Sequence, residues 1–272
     1  MKNYQLIFML SLGLIFSFCE NNPDKEKNIV QSEDEANISE NSIIEDEPSF
    51  AKIELLIPGS YRKSDGYPSV KNKDWMMLDN ENGKWRISQS KINVSYGEDD
   101  CSGDQVMIIS SDNENAVLFF TSFKEFNPNS EILMSDLNLL PGNEVNIQLS
   151  DNRFQLVPKG EILNYDANEQ NWSNKIMKDS EGNPYADKIK NYSLVFINSD
   201  GKETEIFKTK EFDDSVPKII SAADLNNDGI PDFFIDLSTD YEESYYYFFL
   251  SDSKNQKQPM KIAAKIRRNF DC

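Results

Sequence analysis

The stretch Asp224-Leu225-Asn226-Asn227-Asp228-Gly229-Ile230-Pro231-Asp232, continued by Phe233-Phe234-Ile235, decides how this chain is read. Oxygen-bearing side chains stand at positions 1, 3, 5 and 9 of the loop, and a glycine sits at position 6, where a sharp turn is needed. Hard cations such as Ca²⁺ take about six to eight oxygens at roughly 2.3–2.6 Å, and alternate residues of a tight loop can aim inward to supply them. Asp224, Asn226, Asp228 and Asp232 are therefore candidate calcium ligands through their side chains, and Ile230 through its carbonyl. The apolar run that follows reads as a buried strand. The competing reading is a turn without metal, because Asn-Asp-Gly is a turn sequence in its own right.

An EF-hand would carry a bidentate Glu at position 12. Ile235 stands there instead. Residues 221–237 resemble the calcium loop of FG-GAP repeats, in which a D-x-[DN]-x-D-G-x-x-D loop runs directly into a hydrophobic strand. The resemblance implies side-chain ligation by Asp224, Asn226, Asp228 and Asp232. It covers one loop only. A propeller needs several such units at a regular period, so the loop type carries over and the propeller does not.

Outward from that loop, the chain's beginning reads as an address. Lys2 gives a short basic start, Leu6 to Phe18 is almost wholly apolar, and the run ends at Cys19. The proportions are those of a signal-peptide core rather than a transmembrane helix. Ser17 followed by Phe18 and Cys19 resembles the lipobox of bacterial lipoproteins, which implies acylation of Cys19 after removal of residues 1–18. Phe18 departs from that pattern, where a small residue is usual. An ordinary secretory signal or an uncleaved anchor is the other reading. Residues 20–49 hold ten acidic residues and two lysines, with no aromatics. Such a segment cannot bury enough apolar surface to offset its ordering entropy, so 19–50 is expected to be a disordered acidic tether. The expected location is the bacterial cell envelope, lipid-anchored, at the outer membrane.

Residues 51–272 are expected to form one globular body, long enough for a sizeable core. Removing the tether's −8 and Lys2's +1 from the chain's −19 leaves −12 on it. A field of that sign repels nucleic acid phosphates, so no nucleic acid partner is expected. The chain has no histidine. That removes Ser-His-Asp and Cys-His catalysis, His-ligated zinc and imidazole proton shuttling. Carboxylate chemistry, lysine or tyrosine bases and metal-assisted hydrolysis remain for an enzyme. Cys101 and Cys272 are an even pair in an exported chain and are expected to form a disulfide closing a loop of about 170 residues.

The body reads as mainly β, an antiparallel sandwich or barrel-like assembly, from short apolar runs separated by turn signals. Expected strands are Lys52–Ile57, Trp75–Leu78 and Trp85–Ile87 across Asn82-Gly83, and Ile92–Tyr96. Gln105–Ile109 is expected to pair with Ala116–Phe120 across 112–115, and Val145–Leu149 with Arg153–Val157. Tyr192–Ile197 and Glu203–Phe207 flank Asp200-Gly201, read as a two-residue turn. Phe233–Leu237, Tyr245–Leu250 and Met260–Ile266 complete the set, with 164–190 expected as loop or short helix and a soft boundary near 127–142.

Three constellations remain. Tyr241, Tyr245, Tyr246, Tyr247, Phe248 and Phe249 form either an exposed contact face for a protein or glycan, or a strand whose aromatics fill a core and its rim. Asp236, Asp240, Glu242 and Glu243 are a second cation site, an acid/base pair, or neighbours thrown together in an acidic body. Asp99, Asp100 and Asp104 read as further cation ligands or, in preference, as a solvated loop, and Trp75, Trp85 and Trp172 as core or interface anchors. Two functions follow: a lipid-anchored binding or structural module with a structural calcium, or a carboxylate-dependent hydrolase acting on polysaccharide. An enzyme needs a cleft with convergent carboxylates, whereas a module can present a shallow aromatic patch.

Overall fold

The computed structural model describes residues 52–269 apart from 64–65, 100–101, 167–169, 175, 179, 181 and 183. These residues fall within one compact unit, 47–272. Cys19, Cys101 and Cys272, with the signal segment and the tether, lie outside the described residues.

The body is built of antiparallel strands, and among the described residues there is no α-helix and so none that could cross a membrane. In chain order the first strands are β1 (Leu55–Leu56), β2 (Gly59–Arg62), β3 (Trp75–Glu81), β4 (Lys84–Ser90), β5 (Asn93–Glu98), β6 (Gln105–Ser110) and β7 (Ala116–Thr121). There follow β8 (Ile132–Asn138), β9 (Val145–Leu149), β10 (Asn152–Asp166), β11 (Asn171–Ser173), β12 (Met177–Lys178) and β13 (Pro184–Tyr185). The last are β14 (Lys188–Ile197), β15 (Glu203–Asp213), β16 (Lys218–Ala223), β17 (Asp232–Asp236), β18 (Glu243–Ser251) and β19 (Met260–Asn269).

Four of the five sheets stack in layers, the fifth being the two-stranded β12-β13. The central sheet has the order β19-β18-β17-β16-β8. One face sends Ile219, Phe233, Ile235, Tyr247 and Phe249 against Phe154, Leu156, Ile189, Leu194 and Phe196 of the sheet β11-β10-β14-β15, to which β9 also pairs. The opposite face sends Ile220, Phe234, Phe248 and Leu250 against Leu55, Met76, Leu78, Leu118 and Phe120 of the sheet β1-β7-β3-β4. That sheet in turn buries Leu56, Trp75, Met77 and Phe119 against Tyr61, Met107 and Ile109 of the outer sheet β2-β6-β5. Successive strand side chains point to opposite faces. A strand buried on both faces is therefore apolar throughout, and Phe233-Phe234-Ile235 is such a strand. Each fully buried Phe is worth about 1.5–3 kcal/mol, which makes β17 and β18 the heaviest anchors of the stack.

Several expected hairpins form. β3 and β4 join through Asn82 and Gly83, whose φ values of 55° and 81° are the two positive angles a two-residue turn of the right twist requires. β9 and β10 pair across Ser150-Asp151. Other expectations are corrected. β6 and β7 both exist but do not pair, since β6 lies between β2 and β5, and β7 between β1 and β3. The polar turn between them carries the chain from one sheet to the next, and alternation fixes a strand's face, not its neighbour. β14 and β15 are joined by residues 198–202 instead of a two-residue turn, because the Asn198 carboxamide accepts the Asp200 and Lys202 amides and Gly201 donates to the Asn198 carbonyl. The stretch 164–190 holds β11, β12 and β13 and, among its described residues, no helix. The soft boundary near 127–142 contains β8, which pairs with β16 and completes the central sheet.

Candidate metal centre

The loop 224–231 connects β16 to β17, the middle of the central sheet. Its backbone is held from three sides. Leu225 is buried in the core shared with the β1-β7-β3-β4 sheet, Ser130 donates through its hydroxyl to the Asp224 carbonyl at 2.6 Å, and Asn127 N–H donates to the Leu225 carbonyl at 2.6 Å. Asn227 and Gly229 both take the left-handed conformation, with φ of 56° and 84°, which Asn and Gly accept most readily.

Asp228 N–H donates to Asp224 Oδ1 at 3.0 Å and lies 3.1 Å from Asn226 Oδ1. Gly229 N–H donates to Asp224 Oδ2 at 3.0 Å, and Ile230 N–H donates to Asp228 Oδ1 at 3.0 Å. The side chains of Asp224, Asn226 and Asp228 thus cap the loop's own amides, a pattern that a turn without metal shares. Asp232 closes the loop: it is 1% exposed, its Oδ2 accepts Leu225 N–H at 2.7 Å, and its Oδ1 accepts Ser251 N–H at 2.7 Å.

Ser251, the last residue of β18, is what sequence reasoning missed. Its hydroxyl lies 2.7 Å from Asp232 Oδ1, 3.0 Å from Asp228 Oδ1 and 3.2 Å from the Ile230 carbonyl. The Asn226 carboxamide nitrogen is 3.3 Å from the same hydroxyl. Three oxygens thus face one hydroxyl, which has a single proton to donate. Asp228 Oδ2 accepts Ser253 N–H at 2.7 Å, so the turn after β18 also leans on this loop.

Asp228, Asp232 and the Ile230 carbonyl therefore meet at Ser251 through oxygen and Asn226 through its carboxamide nitrogen, while both oxygens of Asp224, like those of Asp228 and Asp232, accept backbone amides. No three acidic or cysteine side chains among the described residues are grouped to hold a metal. Asp232 has no Lys or Arg partner among the described residues. Burial pushes the Asp232 carboxyl up to about 8, against the pull of Ser251 and the Leu225 amide. Burial likewise raises Asp224 above the ordinary aspartate value.

The other candidates resolve differently. Burial raises Glu243, but the Thr239 hydroxyl and amide at 2.7 and 2.8 Å and Arg267 at 2.6 Å outweigh it and hold the carboxyl below its usual value. Asp236 accepts from the Ser238 hydroxyl and amide, and burial raises it. Both acids are thus committed to folding the turn that leads into β18. Asp99 caps the turn to Asp104 and pairs with Arg62 at 3.6 Å, while Asp100 lies outside the described residues. Of the aromatic run, Tyr247, Phe248 and Phe249 are buried, Tyr245 and Tyr246 are half-buried, and Tyr241 alone is 64% exposed. Trp75 is buried, Trp85 packs at a core margin, and Trp172 is exposed. No protein-family model, curated protein or solved structure matches the chain.

Proposed function

We propose that this is a lipid-anchored protein of the bacterial cell envelope, a binding or structural module whose β body is locked by one calcium ion at 224–232. The single supporting observation is the convergence of Asp228 Oδ1, the Ile230 carbonyl and Asp232 Oδ1 on a hydroxyl with one proton to share. A cation there would add to the amide hydrogen bonds that Asp228 Oδ1 and Asp232 Oδ1 already accept, and would share the Ile230 carbonyl with the hydroxyl. Asp228, Asp232, Ile230 and Asn226 would hold it. Asp224 would keep the loop curled. The ion's contribution would be structural, tying the β16–β17 connection to the end of β18.

Anchoring through Cys19 and an acidic spacer are the remaining parts of the reading, carried by the sequence. The commitment of Asp236 and Glu243 to hydrogen bonds within their own turn favours a module over a hydrolase. Thermal melting with calcium and with a chelator tests the metal. At a calcium concentration 100 times the dissociation constant the stabilisation would be about 2.7 kcal/mol. Equal midpoints in the two buffers would overturn it. Fractionation of Cys19→Ser tests the anchor: release from the membrane fraction is expected, and unchanged retention would contradict it.

A further inference from the structure

We infer that the outer face of β10 carries a glycan-binding site, with Trp172 and Tyr165 as its stacking platform and Glu144, Glu161 and Asn174 as its polar rim. The inference rests on the binding-module reading and names its ligand class. It stands on a juxtaposition that the cross-strand register makes explicit.

Tyr165 lies directly opposite Trp172 in the β10–β11 pairing. Their rings meet at 5.6 Å and 61°, and they are 45% and 50% exposed. Side chains two apart share a face of a strand, so Glu161 and Leu163 stand on the same face of β10 as Tyr165. Leu163 and Asn174 line a recess of about 740 Å³, whose walls also include Glu144, Glu161, Lys159 and Ile176. The aromatic pair does not itself line the recess; it stands beside it, with Tyr165 two residues along the strand from Leu163.

The recess is shaped by a bend in β10. The pairing of β10 with β14 slips between Lys159 and Glu161. Gly160 sits at the slip with φ of 150°, and a Cβ there would come within 2.9 Å of the Lys190 carbonyl. Only glycine fits, and bulges of this kind re-aim the side chains beside them.

A pyranose ring offers an apolar C–H face and a rim of hydroxyls. Exposed aromatic rings suit the first and carboxylate or amide groups the second. The volume falls within the range of small-molecule sites. A body of net charge −12 with two carboxylates in the recess repels polyanions. Lys159, on the same wall, is paired with Glu203 at 3.5 Å, so charge disfavours anions here and the counter-probe decides against a basic peptide. A neutral glycan is the occupant that meets all of these terms.

The test uses the full chain in a sugar-free detergent against an array of cellulose-, xylan-, mannan- and chitin-derived hexasaccharides with peptidoglycan fragments, and a Lys-Arg hexapeptide as counter-probe. At least one glycan is expected to bind and to shift tryptophan emission. Trp172→Ala should weaken that binding about tenfold, the equivalent of roughly 1.4 kcal/mol, with an unchanged melting temperature. Trp172→Phe should retain most of it. Glu161→Gln, at an exposed position, should weaken it without touching the fold. Glycan binding undiminished in Trp172→Ala would overturn the site and leave the module reading standing. Binding of no glycan, or of the hexapeptide alone, would overturn the ligand class.

Discussion

The two ends of β17 solve the same electrostatic problem in different ways. At its C-terminal end Glu243 is 7% exposed and meets Arg267, the Thr239 hydroxyl and the Thr239 amide. At its N-terminal end Asp232 is 1% exposed and meets amides and one hydroxyl, with no Lys or Arg among the described residues. One end brings its own cation on a neighbouring strand. The other leaves a carboxylate in the sheet's interior whose charge a proton or an ion from solution would offset. The lesson is that the turn 237–242 meets its buried charge with an arginine, whereas the loop 224–232 meets its own with amides and a hydroxyl alone.

The sharpest way to break this contrast is Asp232→Ala. It strips the Leu225 and Ser251 amides of their acceptor in a buried site, while the Ser251 hydroxyl keeps Asp228 Oδ1 and the Ile230 carbonyl. A loss on the order of 3–5 kcal/mol in urea unfolding is expected. A loss below 1 kcal/mol would mean that the carboxylate is dispensable and the contrast empty.

At the other end, Glu243→Gln should cost only about 1 kcal/mol, because Arg267 is 60% exposed and water screens the pair. Its pH signature has a definite sign. The folded carboxyl lies below its unfolded value, so its stabilisation is present above the ordinary glutamate range and is lost as pH falls through the folded value. Wild type should therefore lose more stability on acidification than Glu243→Gln does. Parallel acid melts for the two proteins would contradict the assignment.

A subtler change, Ser251→Ala, separates the hydroxyl from the ion. In chelator it should cost about 1 kcal/mol, the worth of one buried hydrogen bond. In saturating calcium the cost should shrink, because the ion takes over the oxygens the hydroxyl had served. Equal losses in both buffers would place the hydroxyl and the ion in unrelated roles. Smallest of all, Tyr241→Ala should leave the melting midpoint unchanged, since that ring is exposed and the core aromatics are its neighbours in sequence only. A clear drop would show that the ring is part of the core.

Much of this was legible beforehand, and the boundary follows physical lines. The Asn82-Gly83 hairpin could be read because both positive φ angles are local demands. The run Phe233-Phe234-Ile235 could be read because burial on both faces removes alternation altogether. Partner choice could not be read. Gln105–Ser110 and Ala116–Thr121 look like one hairpin, yet each needs two neighbours and finds them in different sheets. β16, Lys218–Ala223, has small residues where apolar bulk would have marked it, and β8 is flanked by the Pro and Asn residues that suggested a boundary. The loop's own ligand spacing was visible, but Ser251 was not. It reaches Asp232 from 19 residues away, on a strand whose aromatics drew the eye. Trp172 and Tyr165 fell in a stretch read as loop, so their cross-strand meeting had no sequence signal.

Calorimetric titration of calcium into the chelator-stripped chain tests the lock at 224–232 most directly. One ion per chain is expected, with the binding heat abolished in Asp228→Ala and unchanged in Glu243→Gln. No binding heat in the wild type, or a heat that persists in Asp228→Ala, would show that the N-terminal end of β17 is as self-sufficient as the other.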